Sequence, residues 1–161
     1  MTMRILAIDP GTRILGYCVL DGDSRSQEFV AGGDIKVARE NKQLGLLSIF
    51  ESILELVRDY SPDILVVESP FYGKNVKTLI RLGEARGAII IAAALTGLDV
   101  SEVSPAEAKL ALTGNGNATK EQVAYMIKQL LSPPQELSTD ASDAAALGVA
   151  FFHRMALEEV E

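Results

Sequence analysis

The chain has 161 residues, 48% of them hydrophobic and 23% charged, with a mean hydropathy of +0.19, which excludes intrinsic disorder and allows a substantial core. Fifteen Lys and Arg stand against 22 Asp and Glu, for a net charge of −7 and a pI near 4.8. Taken as a total, that charge argues against a protein whose work is gripping phosphates.

Met3–Asp9 is a short apolar run closed by Asp-Pro-Gly-Thr, the pattern of a buried strand ending in a turn. Ile14–Leu20 predicts a second strand, Asp21-Gly22-Asp23 a turn, and Gln27–Val37 a third strand interrupted by Gly32-Gly33. The period then changes. Leu46, Leu47, Phe50, Ile53, Leu54 and Val57 recur every three or four residues, as on an amphipathic helix that Ser61-Pro62-Asp63 ends. Ile64–Val67 predicts a buried strand that delivers Glu68 to its end, and Lys74–Leu98 a long helix apolar on more than one face. Gly83 and Gly87 on that helix permit close approach by a neighbour. Asp99–Val103 is a fifth strand. Ser104-Pro105-Ala106-Glu107 and Thr119-Lys120-Glu121-Gln122 are capping boxes that open two helices, the second stopped by Pro133-Pro134. Ser138-Thr139 caps a last helix over Asp140–Leu157. Strands first, strand–helix alternation next and helices last predict an α/β fold, a mixed sheet covered by helices.

The longest apolar run, Ala88 to Leu95, has eight residues, where a membrane helix needs about 20. The N-terminus lacks the pattern of a secretory leader, and the single Cys18 can form neither an internal disulfide nor a thiolate metal site. A cytoplasmic location is the expectation. Cys18, Phe151, Phe152 and Met155 read as core residues. His153 lies ten residues beyond Asp143 on one helix, about 15 Å along its axis, too far to share a metal.

Four acids occupy telling positions. Asp9 and Glu68 sit at strand ends, and Asp140 and Asp143 open the last helix at i and i+3, on one face. Turn chemistry accounts for Asp9 alone, and the helix dipole for Asp140 and Asp143. Glu68, directly after a buried strand, needs a partner or a metal. Together the acids lie where ligands of open sheets collect. Oxygen-only donors suit hard cations such as Mg²⁺ or Mn²⁺, and four carboxylates suit two ions about 3.5–4 Å apart, the arrangement of in-line phosphodiester hydrolysis. Part of the net acidity is then the site itself. Charge is also unevenly spread: Lys74, Lys77, Arg81 and Arg86 face only Glu84 between residues 74 and 87, as on a solvated helix face or an anion-binding surface.

The chain resembles the RuvC family of Holliday-junction resolvases, within the RNase H-like superfamily. Ile8-Asp9-Pro10-Gly11-Thr12-Arg13 with Gly16-Tyr17 carries the match, as does Val67-Glu68-Ser69-Pro70-Phe71 followed by Lys74-Asn75. Leu82-Gly83-Glu84-Ala85-Arg86-Gly87 and Asp140-Ala141-Ser142-Asp143-Ala144 continue it in order, over about residues 3 to 155. The resemblance implies a five-stranded mixed sheet flanked by helices, with residues 1–161 as one nuclease domain. It implies a homodimeric, Mg²⁺-dependent endonuclease that cuts four-way DNA junctions in recombination and repair, with branch-migration machinery as a further partner. Asp9, Glu68, Asp140 and Asp143 match its catalytic, metal-holding carboxylates, and Lys109 and Lys120 its catalytic lysines. Phe71 matches an aromatic that stacks on a base, with Lys74, Asn75, Lys77 and Arg81 beside it as DNA-binding candidates.

Three other readings start from the same residues. Sugar kinases and actin-like ATPases use an Asp-x-Gly-Thr loop for phosphate, but on longer chains with a second phosphate loop. A junction-binding architectural protein would be expected to have lost one of the four acids. An RNase H-like nuclease acting on flaps or RNA shares every feature named.

Overall fold

The computed structural model describes residues 1–70 and 75–160. Five strands form one sheet: β1 (Met3–Asp9), β2 (Ile14–Gly22), β3 (Gln27–Lys36), β4 (Ile64–Glu68) and β5 (Asp99–Val103). Their spatial order is β3-β2-β1-β4-β5. The first three run antiparallel as a meander, whereas β4 and β5 join parallel to β1 through helical crossovers. The helices are α1 (Lys42–Tyr60), α2 (Val76–Leu95), α3 (Pro105–Thr113), α4 (Lys120–Leu131) and α5 (Thr139–Glu158). This is the five-stranded α/β arrangement that the sequence predicts.

The period-two alternation of the strands divides the core into two layers. Leu6, Ile8, Leu15, Val19, Leu65 and Val67 pack under α1 and α2. Ile5, Ala7, Cys18, Leu20 and Val66 pack under α3, α4 and α5. Helix α5 lies close on the sheet because residue 148 is glycine: a Cβ there would come within 2.9 Å of Leu20 Cδ1 and 3.0 Å of Ile5 Cδ1. Phe151 and Phe152 are buried core residues, Met155 packs beside them, and His153 faces solvent. Cys18 is fully buried, which pushes its thiol up to about 12.

Some boundaries differ from expectation. Asp21 and Gly22 continue β2 instead of turning, because Asp21 stands opposite Arg4 and takes its Nε at 2.7 Å. The turn follows at Asp23, whose carboxylate accepts from the backbone N–H of Arg25 and Ser26. The expected helix Lys74–Leu98 is shorter at both ends. Asn75 is its cap, accepting from the Thr78 N–H at 2.9 Å, and Thr96 closes it by donating its hydroxyl to the carbonyls of Ala92 and Ala93. Both capping boxes are present as the sequence spells them.

Candidate active site

Strand alternation places two of the acids. Ile5 and Ala7 face α5, so Asp9 follows them onto that face. Ile64 and Val66 of β4 face the same way, and Glu68 has their parity. β1 and β4 are parallel neighbours in register Ile8↔Val67, so both acids leave adjacent strands at the same edge.

A row of three residues then seats the last helix. Asp9 pairs with Gly16 on β2, and Gly16 with Asp34 on β3. A Cβ on Gly16 would lie 1.9 Å from the carbonyl oxygen of Asp140, so only glycine lets the first turn of α5 reach the sheet. Asp34 accepts the Ser138 hydroxyl proton at 2.5 Å, which leaves the Ser138 oxygen free to accept from Ala141 N–H at 3.1 Å and cap α5. Nothing local in the sequence signals the Asp34–Ser138 contact, since 104 residues separate the two.

Carboxylate oxygens of Asp9, Asp140 and Asp143 come within 4.8 Å of one another. Glu68 stands outside that trio but acts on it. Burial pushes the Asp9 carboxyl up to about 8, and the charge of Glu68, then those of Asp143 and Asp140, add to the rise against Lys120. Asp143 is also raised, by burial first, while Lys120 opposes, Asp140 adds and Lys109 opposes. Lys120, held at the start of α4 by the Thr119 capping box, brings its Nζ to 3.9 Å of Asp143 Oδ2. The two lysines named from the sequence therefore flank the acids.

Such a trio fits a hard cation. Burial first, and the neighbouring carboxylates second, disfavour the ionised form of Asp9 and push its carboxyl up to about 8. A divalent ion relieves the repulsion among the carboxylates with oxygen donors alone, and the described residues offer no histidine or thiol to the cluster.

The remaining candidates divide. Lys77 and Arg81 are exposed on α2. Asn75 is exposed but spends its side-chain oxygen on capping that helix. Phe71 and Lys74 lie outside the described residues. Arg86, counted with the basic segment, turns inward: its Nε donates to the Glu68 carbonyl at 3.3 Å and its guanidinium pairs with Glu102. It supports the end of β4, a role that a count of charge along the sequence conceals.

The sheet order and the site at its edge define an RNase H-like fold carrying a carboxylate centre. The family model for crossover junction endodeoxyribonuclease RuvC matches residues 5–153, and the chain belongs to that family. A Shewanella sp. (strain MR-4) crossover junction endodeoxyribonuclease RuvC is 42% identical over 149 residues, covering 92% of this chain and 86% of the relative. The Shewanella piezotolerans protein of the same name is 41% identical over the same shares. Among solved structures, Thermus thermophilus RuvC in complex with a Holliday junction substrate superposes with a TM-score of 0.89 at 26% identity, covering 97% of this chain and 96% of that one. The yeast mitochondrial Holliday junction resolvase Ydc2 shares the fold, with a TM-score of 0.73 at 12% identity over 98% of this chain and 81% of that one.

Proposed function

We propose that this chain resolves four-way DNA junctions by paired, metal-dependent phosphodiester hydrolysis, acting as a two-fold dimer. The observation that carries the reading is the convergence of Asp9, Asp140 and Asp143 beside Glu68 at one sheet edge, in a chain of the RuvC family. Divalent metal use follows from that donor set. Two Mg²⁺ ions, with Mn²⁺ as substitute, are the finer proposal, with the four acids as ligands. When bound, such ions would polarise the phosphoryl oxygens and lower the pKa of attacking water.

The chain's own residues would prepare the site. The glycine seat at residue 16 fixes Asp140 and Asp143 relative to Asp9, which shortens the search for a productive geometry. Lys120 and Lys109 would offer positive charge to the phosphate oxygens as negative charge grows there. Asp9 would release its proton as a cation enters.

The dimer reading is supported by α2. Val76, Ile80, Ile91 and Leu95 are between 56% and 72% exposed, and they recur along one stripe through Gly83 and Gly87. A Cβ at either glycine would meet nothing within 4 Å, so neither serves packing among the described residues of its own chain. A second copy would cover the stripe and place two equivalent sites on a substrate with two equivalent strands. Light scattering should therefore give about twice 17.3 kDa, and a monomer at micromolar concentration overturns this part. Cytoplasmic action and cooperation with branch-migration machinery belong to the same proposal.

The deciding experiment offers a mobile four-way junction, a flap, linear duplex and an RNA–DNA hybrid in Mg²⁺. Symmetric paired cuts in the junction alone are expected. Equal cutting of the hybrid or flap overturns junction specificity, and no cutting of any substrate overturns the nuclease reading.

A further inference from the structure

On the face opposite α5, the loop after Asp9, the β3–α1 connection and the middle of α2 enclose an open cavity of about 350 Å³. Its floor is apolar. Its rim carries Arg13, Arg39, Lys42 and Arg81 against one acid, Glu84. These cations come from three separate stretches of chain, and the protein as a whole carries −7. Lys42 reaches Glu84 at 3.3 Å. The side chains of Arg13, Arg39 and Arg81 make no ion pair or hydrogen bond among the described residues. The one acid of the rim, Glu84, is taken by Lys42, so the three guanidinium groups line the cavity without an ion-pair partner among the described residues, and an anion bound there would supply one. Guanidinium matches phosphate by paired, parallel hydrogen bonds. The start of α1 adds to the field, since its first turn holds no acid and its dipole points positive charge toward the cavity residues Asn41 and Lys42.

Location selects the source of the anion. Arg13 follows Asp9 by four residues, so their Cα atoms are no more than about 14 Å apart. At about 3.4 Å of axial rise per nucleotide, that is a reach of about four nucleotides from the carboxylates. The cavity is open to solvent, so a phosphate carried on a longer strand can reach its rim.

We propose that this cavity binds a backbone phosphate of the DNA strand, a few nucleotides from the bond to be cut, with Arg13 and Arg39 as its principal contacts and Arg81 and Lys42 at its edge. The assignment rests on the nuclease reading above and adds a strand path across the second face of the sheet.

The test measures junction binding against salt, with Ca²⁺ replacing Mg²⁺. Arg13→Gln and Arg39→Gln should each lower the slope of log K against log salt by about 0.9, the release expected for one phosphate contact. Lys128→Gln, on exposed α4 of the other face, controls for the loss of one charge anywhere on the molecule and should leave the slope unchanged. A junction carrying one neutral methylphosphonate, scanned outward from the cut site, should weaken binding to the unaltered protein at one position. The Arg13→Gln/Arg39→Gln protein should be indifferent at that position. Unchanged slopes in both arginine variants overturn the proposal, as does an equal fall in the lysine control. Failure of the unaltered protein to bind any DNA overturns the nuclease reading with it, so the two failures are distinguishable.

Discussion

The acid centre and the basic cavity lie on opposite faces of the same sheet and are built in opposite ways. The acids are half-buried, close together and locked by backbone: Gly16 seats α5, Asp34 orients its cap, and Arg86 holds the end of β4. The cations of the cavity are exposed, and they stand on long side chains from three segments. Like charges held near each other in a partly dry site are costly and strongly felt at short range, as the raised Asp9 shows. Exposed charges act over a Debye length and are weakened by salt. On the proposed reading, chemistry at this sheet edge would depend on rigidity, and recognition across the other face on charge number.

The sharpest way to separate the two is to neutralise the acids. Asp9→Asn, Glu68→Gln, Asp140→Asn and Asp143→Asn should each cost several kcal/mol of transition-state stabilisation and abolish detectable cutting. Binding to the junction should persist or tighten, because a negative charge facing phosphates is gone. Single-turnover cleavage beside binding measures both, and a variant that cuts at the unaltered rate removes that residue from the site.

Breaking the scaffold without touching a charge should come next in size. Gly16→Ala drives a methyl group into the Asp140 carbonyl, so α5 must shift. Overpacking of this kind costs about 1–3 kcal/mol in stability. Thermal unfolding should fall accordingly, and cleavage should fall further than junction affinity does. Equal losses in both would mean that the seat of α5 does not tune the carboxylates.

Titration sharpens the electrostatic half of the contrast. Folded Asp9 keeps its proton to about 8, whereas an unfolded aspartate releases it near 4. The folded state thus binds more protons between those values, and stability in EDTA should fall as pH rises from about 4 to 8. The fall should reach at least about 1 kcal/mol, or about 2–4 °C in Tm, and Asp9→Asn should flatten it. Mg²⁺ should raise the Tm more at pH 8 than at pH 6, since it competes with that proton. A pH profile identical in Asp9→Asn would assign the effect elsewhere.

The smallest effect belongs to the exposed helix face. Lys77→Gln should lower the salt slope by about one unit if it meets a phosphate, with cleavage at saturating protein little changed. An unchanged slope returns Lys77 to an ordinary solvated position.

What the sequence disclosed, and what it hid, follows from range. Period-two and period-3.6 patterns, the capping boxes at Ser104 and Thr119, and the acids at strand ends are local, and all are found where the chain spells them. Asp21-Gly22 was legible only as a turn, because the Arg4 partner that holds Asp21 in β2 is 17 residues away. Arg86 reads as surface charge in sequence because its partner, the Glu68 carbonyl at the end of β4, is 18 residues away. The basic cavity was invisible for the same reason, since Arg13, Arg39 and Arg81 share no window of sequence. Helix α2 began later than its apolar pattern suggested because Asn75 uses its side chain to start it.

Cys18 has a practical consequence for following a DNA strand on this protein. It is the sole thiol of the chain, it is sealed between the sheet and α5, and its proton is held to about 12. Maleimide dyes attack thiolate at a solvent-accessible sulfur, so the native protein should stay colourless in a labelling reaction. A cysteine introduced beside the basic cavity would then take a fluorophore at one position, with no need to remove the natural one, and the passage of a DNA strand could be followed by energy transfer on otherwise unaltered protein.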